Sequence, residues 1–251
     1  MPLPKPPALA KPGARVAGVF AATLFDFNGV LVDDEHVHLD AMREVLAPYG
    51  ISITDEAYRD RYLGFDDAGA FRAMLTDHGR LPSEEEVAEL VRKKIPVYMR
   101  RVESSLVVFD GAPELVRARA EAGPVGIVSG ALRHEIDFAL ELMGVKDHVA
   151  FIVSAEDTAR CKPDPEGYEL GVAKLASLIG ERRARQALVF EDSLAGIRAA
   201  KSAGLPCMAV AHSYGAPELW AAGADDVASK LRDIDEARLR GLAERLGRTH
   251  A

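Results

Sequence analysis

The chain has 251 residues, 48% of them hydrophobic and 28% charged, a balance that excludes a disordered chain and fits one large or two small domains. Lys plus Arg number 31 against 39 Asp plus Glu, a formal charge of −8 without a basic stripe, so nucleic acid is excluded as a main partner. No apolar run approaches the ~18–20 residues of a membrane span, and two cysteines far apart, Cys161 and Cys207, point to a reducing cytoplasm rather than a disulfide framework or a zinc site.

Residues 1–18 are proline-rich with scattered basic residues and read as a flexible tail, since the prolines interrupt the apolar run a signal peptide needs. Ala22–Phe27 reads as a buried strand that ends at Asp26-Phe27-Asn28-Gly29. From Glu35 to about Leu46, Val37, Met42, Val45 and Leu46 carry helical spacing, with Asp33 or Asp34 as the cap. Thr54 is placed to cap a short helix ending near Leu63–Gly64. Asp66 or Asp67 is placed to cap another, with Phe71, Met74 and Leu75 on one face and Gly79 as its stop. Ser83 and Glu86 form a capping-box pattern ahead of Val87, Leu90, Val91 and Ile95. Pro96 is expected to bend or break that helix. Residues 35–104 are therefore expected to be helical, with no strand signal.

The pattern then changes. Pro113 opens a helix that Gly123 stops. Val125–Val128, Phe151–Val153, Ala187–Phe190 and Cys207–Val210 read as short buried strands, and Val227 ends another. Leu132–Met143, Tyr168–Leu178 and Ala195–Ala203 read as the helices between them, and the last ~20 residues as a final helix. This alternation implies an α/β fold, a doubly wound parallel Rossmann-like sheet with a helical domain inserted after the first strand. The expected division is a core over 19–34 and 105–251, a helical cap over 35–104 and the tail over 1–18.

Polar residues fall just after four strand ends: Asp26 with Asn28, Ser129 with Gly130, Lys162, and Glu191 with Asp192. Ligands of open parallel sheets bind at these carboxyl ends. Carboxylates with a lysine and a hydroxyl suit a phosphate held beside a hard cation such as Mg²⁺. Each has a plainer account on its own: Asp192 and Ser129 precede helices and suit capping, and Lys162 beside Pro163 suits a solvated loop.

The chain resembles the haloacid dehalogenase superfamily, and within it the β-phosphoglucomutase-like phosphatases with a helical cap. The resemblance rests on Leu24-Phe25-Asp26-Phe27-Asn28-Gly29-Val30-Leu31-Val32-Asp33, on Gly126-Ile127-Val128-Ser129-Gly130, on Lys162-Pro163-Asp164-Pro165, and on Glu191-Asp192-Ser193-Leu194-Ala195-Gly196-Ile197. It implies hydrolysis of a small phosphate monoester or acyl phosphate through an aspartyl phosphate on Asp26. Ser129 and Gly130 would hold the phosphoryl group, and Lys162 would balance its charge. Asp26, the backbone carbonyl of Asn28, Glu191 (directly or through water) and Asp192 would hold Mg²⁺. The implied partner is a small phosphorylated metabolite. The sequence carries no signal for oligomeric state.

The family pattern has an aspartate at position 28, whose carboxyl protonates the leaving group and then activates water. Asn28 keeps the backbone carbonyl and loses the titrating group, an effect of roughly 10²–10⁴ in rate. Three accounts remain open: a phosphatase with an easy leaving group or another acid, a weakened relative that binds a phosphorylated ligand, or an introduced replacement. His36, His38 and Asp34 are the candidate acids. Tyr62-Leu63-Gly64-Phe65-Asp66-Asp67 resembles the family's cap specificity loop, and His38, Arg61 and Gly64 are the cap candidates for substrate contact, with Arg59 nearby. Tyr62 and Phe65 suit the cap core or a stacking surface. The loop carries no cation, which weakens a phosphomutase-like reading that must grip a second phosphate.

Overall fold

The computed structural model describes residues 19–63 and 65–247. The tail expected over 1–18 and the candidate Gly64 lie outside them. The strands are β1 (Ala22–Phe25), β2 (Val32–Asp33), β3 (Val107–Val108), β4 (Val125–Val128), β5 (Phe151–Val153), β6 (Ala187–Glu191), β7 (Cys207–Val210) and β8 (Asp226–Ala228). The helices are α1 (Glu35–Leu46), α2 (Asp55–Arg61), α3 (Asp67–Asp77), α4 (Glu84–Ser105), α5 (Ala112–Ala122), α6 (Arg133–Leu142), α7 (Glu166–Ile179), α8 (Glu181–Ala184), α9 (Leu194–Ser202), α10 (Ala216–Ala222) and α11 (Glu236–Arg245).

The main sheet is parallel, in the order β5-β4-β1-β6-β7-β8, with β1 flanked by β4 and β6. Its strands are continuous apolar runs because both faces are covered. Phe25, Ile127 and Phe190 pack toward α5, α6 and α11. Leu24, Val128 and Val189 pack toward α7, α9 and α10. Strand alternation sends neighbouring residues to opposite cores, and the Phe25 and Phe190 rings stack at 4.8 Å across adjacent strands. The fold is the α/β doubly wound arrangement that the alternation implies.

Helices α1 to α4 lie between β2 and β3, which pair antiparallel with Val32 opposite Val108. They bury their own apolar cluster, with Met42 and Leu46 against Phe71, Met74 and Leu90. Val37 and Ala41 pack separately against Tyr98 and Val102. The two-residue strands of this ribbon are too short for any periodicity, so the sequence gives no sign of them.

Four local expectations change. β1 ends at Phe25, two residues early, because Asp26 and Phe27 turn into the loop that carries Asn28. α4 runs through Pro96. The proline costs roughly 3 kcal/mol, whereas Val87, Leu90, Tyr98 and Val102 are buried on either side of it, each contributing about 1.5–3 kcal/mol. α5 ends at Gly123 with extended backbone (φ 177°), so the glycine there is not a left-handed stop. A Cβ at that position would run into the Ala21 carbonyl. Finally, Asp34 occupies the N-cap position of α1 without making a side-chain cap. Its carboxylate is taken elsewhere. Thr54, Asp66 and Ser83 do cap α2, α3 and α4.

Candidate active site

Asp26 leaves β1 at the carboxyl edge of the sheet, anchored by its N–H to the Phe190 carbonyl (2.9 Å). Lys162 reaches it from the loop after β5. The Lys162 ammonium donates to Asp26 Oδ1 (2.5 Å), to Glu191 Oε1 (2.6 Å) and to the Val128 carbonyl (3.1 Å). One lysine thus ties together the ends of β1, β4 and β6.

Glu191 is fully committed. Its Oε1 also accepts from the Tyr168 hydroxyl (2.7 Å), and its Oε2 accepts from the Asp192 and Ser193 N–H groups and the Ser193 hydroxyl. A Cβ on Gly196 would fall inside this carboxylate, so only glycine fits there. Ser193, not Asp192, caps α9. That frees Asp192, whose carboxylate accepts from the Ser213 hydroxyl. Gly29 has φ +77°, and a Cβ there would overlap the Asp192 carboxylate. The loop after β1 therefore passes directly over Asp192. His212 holds that loop by bonding the Gly29 carbonyl through Nδ1 (2.7 Å), its ring stacked on Phe109.

Asp26, Glu191 and Asp192 bring carboxylate oxygens within 4.8 Å of one another. Burial, with Glu191 in support, pushes the Asp26 carboxyl up to about 7 against the pull of Lys162. Burial and the same neighbours raise Asp192 well above the carboxylate range. Lys162 is raised despite its burial, held by Asp26 and Glu191. Three buried carboxylates against one ammonium are an excess of negative charge, which a hard divalent cation with oxygen ligands would offset.

Asn28 follows two residues after Asp26. Its Nδ2 donates to both oxygens of Asp34 (2.9 Å each) and lies 3.3 Å from His38 Nε2, while its Oδ1 accepts from the Ser129 hydroxyl (3.3 Å). Asp34 also accepts from the Tyr98 hydroxyl and pairs with His38 Nε2 (3.1 Å). On its other side, His38 Nδ1 meets the Lys94 amine, which also pairs with Asp67. Burial and Lys94 push the His38 imidazole down. Asp34 and Asp67 outweigh them and raise it to about 10. Asp34 and Asp67 are in turn held low despite their burial, Asp34 chiefly by His38 and Asp67 chiefly by Lys94.

These residues surround a cavity of about 140 Å³ between the sheet edge and the helical block. Asp26, Asn28, Ser129, Gly130, Lys162 and Asp192 line its floor, and His38 lines its cap side. Glu191 stands just behind. The structure thus brings together all the core residues singled out from the sequence.

The other cap candidates divide. Arg61 pairs with Asp77 (2.6 Å) on an exposed face and is not among the residues lining the cavity. Arg59 and His36 are likewise exposed and outside the lining. Tyr62 is a core residue, its hydroxyl donating to Asp77 (2.7 Å), whereas Phe65 is half-exposed and lines the cavity. Sequence reasoning missed Lys94, Tyr98, Glu135 and Ser213; it named Asp67 as a helix cap and a member of the specificity loop, and Tyr168 without a role in the site. Lys94 did carry a signal: Val87, Leu90, Val91, Lys94 and Tyr98 share one helical stripe, which puts a lysine on an apolar face.

The family model for haloacid dehalogenase-like hydrolases matches residues 20–204. The chain is 31% identical over 221 residues to the validoxylamine A 7'-phosphate phosphatase of Streptomyces hygroscopicus subsp. limoneus, covering 88% of this chain and 97% of that one. It is 26% identical over 191 residues to the phosphoglycolate phosphatase of Yersinia pestis, covering 76% and 80%. Among solved structures, the fold is shared with a β-phosphoglucomutase from Clostridium difficile, with TM-score 0.75, 20% identity and coverage of 90% and 98%.

Proposed function

The chain belongs to the haloacid dehalogenase-like hydrolases, enzymes whose relatives here act on phosphoric ester bonds, and on that premise we propose that it hydrolyses a small phosphate monoester through an aspartyl phosphate on Asp26. The observation that carries this reading is the Lys162 ammonium bridging Asp26 and Glu191 beside Ser129 and Asp192. Phosphoryl transfer needs positioning and charge compensation more than covalent machinery, and this arrangement supplies both.

The contacts support the residue roles that the family resemblance implies. An oxygen of Asp26 attacks phosphorus as the bond to the ester oxygen breaks. Lys162 neutralises charge between the nucleophile and the phosphoryl oxygens, and the Ser129 hydroxyl with the adjacent Gly130 backbone holds the group in place. Asp26, Asp192 and the Asn28 carbonyl would hold Mg²⁺, with Glu191 acting through water or through Lys162, since donors occupy both its oxygens. The bound cation would supply charge neutralisation for the phosphoryl group.

Asn28 cannot move a proton. His38 is the cavity-lining titratable group beside its amide, and Asp34 and Asp67 favour its protonated form against the opposing push of Lys94. In this reading the leaving oxygen takes its proton from His38. The neutral imidazole then accepts a proton from the water that cleaves the aspartyl phosphate, which restores the starting state. Residues 35–104 act as the cap that closes over the substrate, and 19–34 with 105–251 as the catalytic core. No helix among the described residues is long and apolar enough to cross a membrane, and free Cys161 and Cys207 suit the cytoplasm.

The test is phosphate release with Mg²⁺ from a panel of alkyl esters and acyl phosphates, comparing the protein with Asp26→Asn. Turnover that vanishes in the variant supports the reading. Saturable ester binding with no turnover replaces it with a phosphate-binding role.

A further inference from the structure

Two carboxylates that line the cavity each keep one buried oxygen without a donor. Glu135, in the first turn of α6 on the core side, is 2% exposed. Its Oε2 accepts from the Leu132 N–H (3.0 Å), and its Oε1 is buried with no donor. Asp67 opens α3 on the cap side. One of its oxygens takes the Lys94 amine, and Oδ2 is buried with no donor. Among the described residues these are the carboxylate oxygens buried without a partner, and both residues line the cavity.

A buried acceptor without a donor carries an uncompensated desolvation penalty, and such groups in a folded protein call for an explanation. The chain does not supply the donor. The cationic side chains lining the cavity are already engaged: Lys162 by Asp26 and Glu191, Arg160 by Asp164, and His38 by Asp34. Lys94, behind the wall, is matched by Asp67 Oδ1. Glu35 and Asp66 add further carboxylates to the same lining. The cap side of the cavity is therefore acidic, and a second phosphate or a carboxylate on the substrate would meet like charge there.

Resting on the phosphatase reading of the cavity floor, we propose that Glu135 and Asp67 receive a protonated amine carried by the organic part of the ester, so that the substrate class is amine-bearing phosphate monoesters. An ammonium brings three N–H donors and no acceptor, the complement of carboxylate oxygens that lack donors. Charge-assisted bonds of this kind are about twice as strong as neutral ones. The phosphate sits against Lys162, and the amine sits between α3 and α6, so that one ligand bridges core and cap.

The experiment is calorimetric titration of the full chain with ω-aminoalkyl phosphates, from O-phosphoethanolamine to 6-aminohexyl phosphate, each paired with the ω-hydroxyalkyl phosphate of equal length. Inorganic phosphate is the reference for each variant. At one or more lengths the amine is expected to bind on the order of tenfold tighter than the alcohol, and Glu135→Gln is expected to erase most of that preference. Equal binding at every length, or a preference that survives Glu135→Gln, overturns the proposal. If no phosphate binds, the phosphatase reading falls. The free amino alcohols against the matched diols then decide the amine site alone: a preference abolished by Glu135→Gln sustains it, and no preference overturns it.

Discussion

The Asn28 amide donates to both carboxylate oxygens of Asp34, at 2.9 Å each. This contact joins the loop after the nucleophile to the residue that precedes the first helix of the helical block. It also makes the amide at position 28 and the carboxylate at position 34 a matched pair. An aspartate at 28 would place two carboxylates face to face in a buried setting, and one of them would stay protonated. Asn28→Asp alone is expected to destabilise the protein by about 1–3 kcal/mol and to add little activity. Combining it with Asp34→Asn restores a donor–acceptor pair and should recover most of the loss. Chemical denaturation of the four proteins of this double-mutant cycle measures the coupling. Additive effects would mean that the two side chains do not act as a pair.

His38 is assigned the proton that Asn28 cannot carry. Its replacement by Gln is expected to lower kcat/KM for an alkyl phosphate by roughly 10²–10⁴. An acyl phosphate leaves as a carboxylate and needs no proton, so its kcat/KM should fall much less. The comparison reads the first chemical step, because kcat/KM covers events up to formation of the aspartyl phosphate. Equal losses for both substrates would remove His38 from the proton transfer.

Asp26 couples the site to stability. Burial pushes its carboxyl up to about 7 in the folded protein, from an ordinary value of 3.8. Between those values the folded state binds the extra proton, so stability falls as pH rises. At ~1.4 kcal/mol per unit, the whole effect is at most about 4 kcal/mol. Asp34 and Asp67, held low, contribute stability that is present above their unfolded value and is lost only as pH falls through their folded values. In metal-free buffer, Tm is therefore expected to fall between pH 5 and 7.5. Mg²⁺ should raise Tm more at pH 7.5 than at pH 5, because bound cation favours the ionised carboxylates. Scanning calorimetry at both pH values, with and without Mg²⁺, checks both trends.

Lys162 compensates two buried carboxylates at once. Lys162→Met leaves Asp26 and Glu191 facing each other without a cation. A loss of about 3–5 kcal/mol is expected in metal-free buffer, together with loss of turnover. Added Mg²⁺ should recover part of the stability and little of the activity. A stability change under 1 kcal/mol would show that the bridge is not the site's main charge compensation.

Arg61 serves as the counter-test on the cap. It pairs with Asp77 on an exposed face away from the cavity. Arg61→Ala is expected to leave KM unchanged within about twofold and to cost about 0.2–1 kcal/mol. A rise in KM of tenfold or more would return this residue to substrate recognition.

The core half of the site was legible in the sequence because each of its residues is fixed locally. Asp26, Ser129 and Glu191–Asp192 each follow a short apolar run that can only be a buried strand of a parallel sheet, and strand ends of such a sheet share one edge. The cap half was not legible in the same way. Asp34 reads as a helix cap on local grounds, and only the packing of α4 against α1 brings Tyr98 to its carboxylate. Lys94 and His38 are 56 residues apart, and Lys94 and Asp67 are 27 apart. Local periodicity names the buried face of a helix but not the side chain that meets it.

The sequence by itself determined the α/β class, the inserted helical block, and the order and identity of the residues at the strand ends, since hydrophobic period and turn chemistry act over a few residues. The tertiary structure decided which carboxylates are spoken for. It assigned Glu191 to Lys162 and Tyr168, Asp34 to Asn28, and Asp67 to Lys94, and it left Glu135 Oε1 and Asp67 Oδ2 without donors. The physical reason is that a buried charge takes whatever partner long-range packing delivers, and that partner is set by how helices and strands dock rather than by neighbours in the chain.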